Sequence, residues 1–392
     1  MKFATKLLTF DPAPGDRHTP ANTPIYQTAT FRQGDATEFG EYDYTRSGNP
    51  TRAVVEKQIA RLENGARGFC FSTGLAAITA VTRLLGPGDE IVACNDLYGG
   101  CYRLFSRILP KRGIQVRYVD FGNLDAVAAS ISENTKLVYL ETPTNPLLQI
   151  IDIRAVADIA HRRGALLCVD NSTMSPYLQQ PLELGADIAL HSATKFLCGH
   201  SDVMAGAIVV NDEELGQELY LIQNGEGAGL SPFDSYLLLR GMKTLSLRLD
   251  RQQSNAQTIA ELLEAHPAVD RVYFPGLADQ EQLRIHRSQA SGDGAVLSFV
   301  TGDPEFSRAV VEATKIFAIT VSFGSVNSTI SLPNYMSHAS IPQSLRQLKS
   351  IPADLVRVSV GAEDIEDLVD DLGQAFEVAT RQTCAVKVAA AD

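Results

Sequence analysis

The sequence contains no apolar stretch that approaches the roughly 20 residues of a membrane-spanning helix. It also lacks any lysine- or arginine-rich run, and its 46 acidic residues outnumber its 34 basic ones, which gives a net charge of −12. A chain with this balance is not expected to bind nucleic acid or an anionic membrane. Pro, Asp and Gly interrupt the first 18 residues, so the apolar core of a signal peptide is missing too. These absences predict a cytoplasmic protein.

Paired cysteines are also missing. The six cysteines include no CxxC pair, and the seven histidines show no metal-ligand spacing. The sequence therefore predicts no metal site, and the cysteines are interpreted as small buried hydrophobic residues in a reducing compartment. They are Cys70, Cys94, Cys101, Cys168, Cys198 and Cys384.

Alternating strand and helix patterns fill the chain after an irregular first segment, 1–47, that is rich in Pro, Thr, Gly and acidic residues. In 392 residues, 45% of them hydrophobic, there is enough apolar material for a sizeable core. The length predicts two or three domains, or one large catalytic domain with appendages. Helical spacing of Val55, Ile59 and Leu62 predicts a helix that ends at Asn64-Gly65.

Four short apolar runs then predict buried strands: "EIVACN", "KLVYLET", "ALLCVD" and "DIALHSA". The amphipathic segment "IRAVADIAHRRG" lies between the second and third of these runs and predicts a helix. This alternation is typical of an α/β fold with a mostly parallel central sheet flanked by helices.

Ligands of such folds bind at the carboxyl ends of the strands. Polar residues follow each predicted strand at that end: 95–98, 141–145, 170–172 and 192–195. A further segment, "FSTGLAAITAVTRLL", leads from small residues directly into a helix whose first N–H groups could bind phosphate. Taken alone, this segment is better explained as an ordinary capped helix start than as a phosphate site.

A lysine and an aspartate at two of these strand ends indicate one chemistry. Lys195 follows the last strand, and Asp170 lies 25 positions earlier at the end of another. Pyridoxal phosphate (PLP) requires a lysine for covalent attachment, an aspartate that keeps its ring nitrogen protonated, and a phosphate site. A lone lysine is usually solvated and a lone aspartate is usually a turn residue, so the interpretation depends on both occurring together.

Several motifs resemble one enzyme family. "YDYTRSGNPTR", "ETPTNP", "VDNSTMSP", "HSATKFLCGHSDVMAG" and "LVRVSVGAEDIEDLVDDL" are similar to the Cys/Met-metabolism group of PLP-dependent enzymes of fold type I. That group includes cystathionine β- and γ-lyases, cystathionine γ-synthase and methionine γ-lyase. The resemblance extends from about Thr23 to about Phe376, which is nearly the whole chain.

The resemblance implies roles for residues that bind PLP. Lys195 matches the lysine that attaches to PLP and later transfers the substrate proton, and Asp170 matches the partner of the ring nitrogen. Tyr98 matches a tyrosine that stacks on the ring and assists proton transfer. The phosphate contacts that the family implies are the backbone amides of Gly74 and Leu75 and the hydroxyls of Ser192 and Thr194.

The resemblance also implies a homo-oligomer. Tyr44 and Arg46 match a Tyr-x-Arg pair that completes the phosphate site of the neighbouring subunit, which makes a dimer the active unit, within a tetramer. It further implies three parts of the chain: an arm, 1–47, that contributes to the neighbour's site, a PLP-binding domain, 48–241, and a smaller α+β substrate-binding domain, 242–392.

Three residues match contacts to an amino-acid substrate. Arg357 matches the arginine that binds the substrate α-carboxylate, a task suited to its planar fork. Its strand-like context, "LVRVSV", supports this role, because a buried charge without a partner is costly. Asn145 and Ser322 match further substrate and cofactor contacts.

Smaller features separate the members of the family. Val321 stands where γ-acting members are expected to carry glutamate, and Gly100 stands where methionine γ-lyases usually carry cysteine. Together with "QNGEGAGLSPFD" and "VSFGSV", these features are most similar to the plant and cyanobacterial type of cystathionine β-lyase. The implied reaction is α,β-elimination of L-cystathionine to homocysteine, pyruvate and ammonia. A γ-synthase, γ-lyase or O-acyl-homoserine sulfhydrylase of the same family is the alternative, because it shares every cofactor residue.

Overall fold

The structure, a computed structural model, describes residues 1–336 and 351–389, without the side chains of 384–389. Its helices are α1 (Phe3–Leu8), α2 (Pro50–Leu62), α3 (Gly74–Thr82), α4 (Gly99–Arg103), α5 (Leu124–Ser130), α6 (Ile153–His161), α7 (Ser175–Leu178), α8 (Glu213–Glu226), α9 (Pro232–Met242), α10 (Leu245–Glu264), α11 (Gln280–Gln289), α12 (Pro304–Ala313) and α13 (Ile365–Ala389). Its strands are β1 (Arg67–Phe71), β2 (Glu90–Cys94), β3 (Gln115–Val119), β4 (Thr135–Glu141), β5 (Leu166–Asp170), β6 (Ile188–His191), β7 (Gly206–Val210), β8 (Arg271–Tyr273), β9 (Val296–Val300), β10 (Ala318–Ile319), β11 (Thr329–Ser331) and β12 (Val356–Ser359).

The first sheet has seven strands in the order β1-β7-β6-β5-β4-β2-β3. Strands β2 to β6 pair in parallel, whereas β7 runs antiparallel to its neighbours β1 and β6. The prediction of a mostly parallel sheet is confirmed, and the four predicted strands are β2, β4, β5 and β6. The edge strand β3 escapes the apolar pattern because alternate residues of it are exposed.

Local signals in the sequence fix the helix ends. The Asn49 side chain accepts a hydrogen bond from the Thr51 amide at 2.9 Å, and Pro50 opens α2. Asn64 has a φ of +55°, which ends the helix at the predicted position. In α6, Asp152 caps the first turn, and Gly164 with a φ of +70° follows the end.

The second sheet has five strands in the order β10-β11-β12-β9-β8, and its pairs are antiparallel except for β10 with β11. Its central strand β12 carries Arg357, so the strand predicted from "LVRVSV" is confirmed. All four residues of β12 are buried. The arginine is therefore delivered to the protein interior.

Two large hydrophobic clusters and a small third one, formed by Val300, Ile351 and Leu355, make up the core of the described residues. One large cluster joins α2, α9, α10 and α13 to the second sheet, and the other packs α3 and α6 against the first sheet. The first cluster contains side chains from both sides of the predicted boundary at 241, such as Leu239 and Leu249. The three predicted domain ranges stay predictions. None of the described helices has the length and apolarity to cross a membrane.

The segment 1–47 is not wholly irregular, which corrects the prediction. Phe3–Leu8 forms α1, whose Leu7 is buried, and Gln58 of α2 donates a hydrogen bond to the Lys6 carbonyl at 2.7 Å. One turn and a half of helix is too short to show the periodicity by which helices are recognised in a sequence. The helix α13 continues to Ala389, into the last 12 residues of the chain. Residues 390–392 lie outside the described residues.

Candidate active site

The carboxyl ends of β2, β4, β5 and β6 meet at one edge of the first sheet, as parallel pairing requires. Asp170 ends β5, and its register partner in the neighbouring strand is Glu141, which ends β4. His191 ends β6, and Lys195 follows four residues later. The strand-end residues selected from the sequence are thus brought together.

Lys195 is partly buried at this edge, next to residues of the connection between β10 and β11. Its Nζ donates a hydrogen bond to Ser322 Oγ at 2.5 Å and lies 4.8 Å from the centre of the Phe323 ring. Burial, with the nearby Arg357 cation, lowers the pKa of Lys195 to about 8, although Asp170 and Glu141 oppose the shift. An amine with this pKa is a nucleophile and a base near neutral pH.

Helix α10 holds the segment around Lys195 through the side chain of Arg248. Arg248 Nη2 donates hydrogen bonds to the carbonyls of Phe196 at 2.8 Å and Gly241 at 3.1 Å. Gly199 has a φ of +75°, and a Cβ there would lie 2.1 Å from Arg248 Nη1. Only glycine fits this position, because both the backbone and the guanidinium exclude a side chain.

Arg357 enters the site from β12. Its Nη1 donates to Asn145 Oδ1 at 3.0 Å and its Nη2 donates to the Ser322 carbonyl at 2.6 Å. No described residue accepts a hydrogen bond from its Nε. Burial lowers the pKa of Arg357 to about 10, and Glu141 and Tyr98 oppose the shift. A buried guanidinium with a free donor is suited to bind a carboxylate.

Ser322 connects the two cations. Its hydroxyl accepts from Lys195 and its carbonyl accepts from Arg357. Its φ of +83° is unusual for a residue with a side chain and costs of order 1–3 kcal/mol. The surrounding hydrogen bonds hold this conformation.

Both oxygens of the Asp170 carboxylate are fixed. Oδ1 accepts from the Ser172 amide at 3.0 Å and from its hydroxyl at 2.5 Å, and Oδ2 accepts from the Tyr139 hydroxyl at 3.0 Å. Burial raises the pKa of Asp170, whereas the hydrogen bonds from Ser172 and Tyr139 lower it. Burial raises the pKa overall, and the three donors oppose this shift by favouring the ionised form.

The start of α3 meets the segment after β6. A Cβ on Gly74 would lie 2.8 Å from Ser192 Cβ, so only glycine allows this approach. The Thr73 hydroxyl accepts the Ala76 amide at 2.9 Å, and no described residue accepts a hydrogen bond from the amides of Gly74 or Leu75. Two free N–H groups at a helix start are suited to bind phosphate.

The two predicted phosphate hydroxyls differ in their surroundings. The Thr194 hydroxyl donates to the Ala205 carbonyl at 3.2 Å and accepts the Ala205 amide at 3.0 Å, so it already fixes the backbone. Ser192 uses its amide instead, which donates to Ser172 Oγ at 2.6 Å. Its hydroxyl faces Gly74.

Tyr98 stands at the start of α4 with 41% of its surface exposed. Its amide donates to Glu141 Oε2 at 3.3 Å. A Cβ on Gly100 would lie 2.3 Å from the Tyr98 ring, so glycine is needed beside the ring. The ring is thus held in place while one part of it stays accessible, as stacking on a ligand requires.

Tyr44 and Arg46 lie on the arm, and the hydrogen bonds of their side chains do not reach the described strand-end residues of their own chain. Arg46 Nη1 donates to the carbonyl and the side chain of Asn224, both at 2.7 Å, and its guanidinium lies 5.3 Å from the Tyr44 ring. Tyr44 is exposed. Their predicted role in a neighbouring subunit stays a prediction.

Sequence reasoning missed two residues of the site, Phe323 and Tyr139, and it assigned no role to Ser172 and Glu141, which lie in the selected strand-end ranges. Phe323 lies beside both cations, and Ser172, Tyr139 and Glu141 surround Asp170. Tyr139 and Glu141 are two positions apart in β4 and share one face of the strand. Burial, together with the charges of Asp170 and Asp96, raises the pKa of Glu141 well above its usual range. Polar residues at alternate positions of an apolar run are the signal that could have identified them.

A buried pair supports this arrangement. His191 Nε2 and Glu63 Oε1 lie 2.6 Å apart, both fully buried, and Glu63 also accepts from Asn171 Nδ2 at 3.0 Å. Glu63 follows α2, so it links that helix to the ends of β5 and β6. Among the residues that the structure describes, no group of His, Cys, Asp or Glu side chains is arranged to hold a metal ion.

These residues fit PLP. Lys195 offers a low-pKa amine for the aldehyde, Asp170 a fixed carboxylate for the ring nitrogen, and Gly74 and Leu75 free amides for the phosphate. Each of these groups has the partner chemistry that the cofactor needs.

The chain is similar to PLP-dependent enzymes of one family. A family model described as Cys/Met metabolism PLP-dependent enzyme matches residues 4–377, which extends the predicted resemblance towards the N-terminus. The chain is 55% identical to the chloroplastic cystathionine β-lyase of Arabidopsis thaliana over 91% of this chain and 77% of that protein. It is 48% identical to the cystathionine γ-lyase of Bacillus subtilis over 93% of this chain and 96% of that protein.

A solved structure of cystathionine γ-synthase from Xanthomonas oryzae in complex with cystathionine superposes with a TM-score of 0.95. It is 40% identical, and the alignment covers 97% of this chain and 99% of that one. The fold is therefore that of the PLP-dependent lyases and synthases of fold type I, and the cofactor prediction is confirmed. The chain belongs to the Cys/Met metabolism family of PLP-dependent enzymes.

Proposed function

We propose that the protein is a carbon–sulfur lyase, a cystathionine β-lyase that cleaves the Cβ–S bond of L-cystathionine by α,β-elimination. The products are L-homocysteine, pyruvate and ammonia, a reaction of methionine biosynthesis. Relatives that carry this name support the proposal, among them the Arabidopsis protein at 55% identity and a Bacillus subtilis protein at 48%.

The observation that carries the proposal is the bridge formed by Ser322. It holds the Lys195 amine and the Arg357 guanidinium at one end of the strand-end cluster. A small α-amino acid could therefore place its carboxylate on Arg357 and its Cα–H near the Lys195 amine at the same time. That arrangement lowers the entropic cost of removing the proton.

The residues of the site have defined tasks in this scheme. PLP, when bound, supplies an electron-withdrawing ring that stabilises negative charge at Cα. The Lys195 amine accepts the Cα proton, a role that its pKa of about 8 permits. The Asp170 carboxylate accepts the hydrogen bond of the protonated ring nitrogen, and Arg357 and Asn145 orient the substrate carboxylate. Tyr98 covers the ring and assists proton transfer.

A γ-acting enzyme is the second candidate, since the chain is also similar to proteins named cystathionine γ-lyase and γ-synthase. Val321, half-exposed beside Ser322, argues for the β-lyase because it places an apolar side chain where the γ-acting members are expected to carry a carboxylate. The cofactor residues are common to both candidates, so they do not discriminate.

Product identification tests the proposal. Purified holoenzyme is incubated with L-cystathionine, and the 2-oxo acids and thiols are separated by mass spectrometry. We expect pyruvate with homocysteine, and a Lys195→Ala protein purified in parallel gives the background. 2-Oxobutyrate with cysteine would identify a γ-lyase, and cystathionine formed from an activated homoserine and cysteine would identify a synthase.

We also propose that the active unit is a homodimer within a tetramer, and that the protein is cytoplasmic. The exposure of Tyr44 and the position of Arg46 outside its own strand-end cluster support a shared site. The location rests on the sequence composition alone.

A further inference from the structure

Tyr139 is a fully buried tyrosine whose hydroxyl reaches the proposed cofactor site from inside the sheet. It lies in β4, its ring meets Phe105 edge-on at a centroid distance of 5.3 Å, and its hydroxyl lies 3.0 Å from Asp170 Oδ2. Phenylalanine would fill the same volume in this apolar strand. The hydroxyl therefore needs a separate explanation.

The hydrogen bonds around Asp170 have a definite direction. The Ser172 amide can only donate, and Ser172 Oγ accepts from the Ser192 amide at 2.6 Å, which leaves the Ser172 hydroxyl proton for Asp170 Oδ1. Burial and the charge of Asp170 raise the pKa of Tyr139 well above its usual value, so the phenol keeps its proton. That proton is donated to Oδ2.

A thiol completes this chain of donors. Cys101 Sγ lies 3.8 Å from the Tyr139 oxygen, and burial raises the pKa of Cys101 well above its usual range. Because the single phenolic proton is directed at Asp170, the S–H group must donate to Tyr139. The order is thus Cys101 to Tyr139 to Asp170, and each donor strengthens the next.

Asp170 needs this support because of its neighbours. It is buried, and its register partner Glu141 is a second carboxyl. Ser172 secures Oδ1, whereas Oδ2 has Tyr139 as its donor. Without that donor, the carboxyl group of Asp170 would be held at Oδ1 alone and could rotate. Burial would also favour the neutral acid, which cannot accept a charge-assisted hydrogen bond from a pyridinium nitrogen.

We propose that Tyr139 is a positioning residue whose hydroxyl keeps Asp170 ionised and directs Oδ2 at the ring nitrogen of PLP. The inference rests on the proposed role of Asp170. It assigns Tyr139 no contact with substrate. Its effect must therefore depend on the ring nitrogen, and this dependence distinguishes it from a packing role.

The test compares two cofactors on the apoprotein. Tyr139→Phe and the unaltered protein are titrated with PLP and with 1-deazapyridoxal phosphate, in which carbon replaces the ring nitrogen, and binding is followed by absorbance. We expect PLP to bind about 10-fold more weakly to Tyr139→Phe, the loss of one hydrogen bond to a charged group. The analogue should bind both proteins within about 2-fold.

Tyr177→Phe is the matched control. Its hydroxyl also donates to an aspartate, Asp250 at 2.6 Å, but that pair is exposed and outside the site. This variant should bind both cofactors as the unaltered protein does. The thermal midpoint of each apoprotein shows whether the fold is kept.

A second measurement uses the nitrogen itself. PLP labelled with ¹⁵N at the ring should show a protonated-nitrogen chemical shift in the unaltered holoenzyme, and in Tyr139→Phe it should move towards the neutral value. An equal loss of affinity for both cofactors, or an unchanged ¹⁵N shift, would overturn the proposal. If Asp170 has no role at the nitrogen, the unaltered protein binds PLP and the analogue equally, which separates that failure from this one.

Discussion

At the scale of single residues, burial changes the chemistry of the site more than any hydrogen bond does. Desolvation lowers the pKa of Lys195 more than the charges of Asp170 and Glu141 raise it, so the pKa falls from 10.5 to about 8. Arg357, also buried, keeps its charge at a pKa of about 10. One cation thus becomes a base near neutral pH while the other remains an anion-binding group.

This difference predicts the pH dependence of cofactor attachment. Only the unprotonated amine of Lys195 attacks an aldehyde, so below pH 8 the attachment rate should rise about tenfold per pH unit, and above pH 8 it should level off. The measurement is the absorbance change when apoprotein meets saturating PLP in stopped flow. A rate that kept rising towards pH 10 would contradict the lowered pKa of Lys195.

Arg357→Leu provides the comparison. The Arg357 cation contributes to the lowered pKa of Lys195, so its removal should move the levelling point of the attachment rate above pH 8. An unchanged profile would show that desolvation alone sets the pKa of Lys195.

At the scale of elements, the phosphate site depends on how closely the start of α3 approaches the segment after β6. Gly74 permits that contact with Ser192, and the free amides of Gly74 and Leu75 point to the same place as the helix dipole. The geometry of the phosphate site therefore depends on how α3 and the segment after β6 lie relative to each other, and not on one residue.

Gly74→Ala should therefore weaken PLP binding. The added Cβ would lie 2.8 Å from Ser192 Cβ and must push the two elements apart, at about 1–3 kcal/mol or about 5- to 150-fold in Kd. Equilibrium titration of the apoprotein measures the change. Gly373→Ala, in α13 with no atom within 4 Å of the new Cβ, is the control and should leave the Kd unaltered. Unchanged affinity in Gly74→Ala would exclude α3 as the phosphate site.

The sequence could predict the elements better than their contacts. Continuous apolar runs identify β2, β4, β5 and β6, and the rule on strand ends brings Lys195 and Asp170 together before any coordinates are known. Tyr139 lies in one of those runs, but its bond to Asp170 depends on the register of β4 against β5, which no local pattern encodes. Phe323 reaches Lys195 across 128 positions of the chain, a distance over which periodicity carries no information.

At the scale of the whole molecule, the positions of Tyr44 and Arg46 on the arm are not explained by the active site of their own subunit. Arg46 binds Asn224 of its own chain and Tyr44 is exposed, although the family resemblance places both at a phosphate. If the arm completes the site of a neighbouring subunit, the phosphate of that site is a common partner for Tyr44 and Arg46.

Mixing two inactive variants tests the shared site. Arg46→Ala and Lys195→Ala should each be inactive, and after subunit exchange about a quarter of all sites should regain both residues, because hybrid dimers contain one intact site. Recovered β-elimination activity is the measurement. A mixture of Asp170→Asn with Lys195→Ala is the control, since both residues belong to one subunit's site and no hybrid restores them together. Equal failure of both mixtures would show that the arm does not cross the interface.

The contact of Arg248 with the backbone after Lys195 has a consequence for how such a chain can evolve. Arg248 lies beyond residue 241, yet the carbonyl that it binds belongs to Phe196, in the centre of the first sheet's site. A recombination event that joined residues 1–241 to an unrelated C-terminal part would leave this carbonyl without its donor and Gly199 facing a void. Exchange of the C-terminal part would therefore preserve the segment after Lys195 only if the new part supplied a donor for the Phe196 carbonyl.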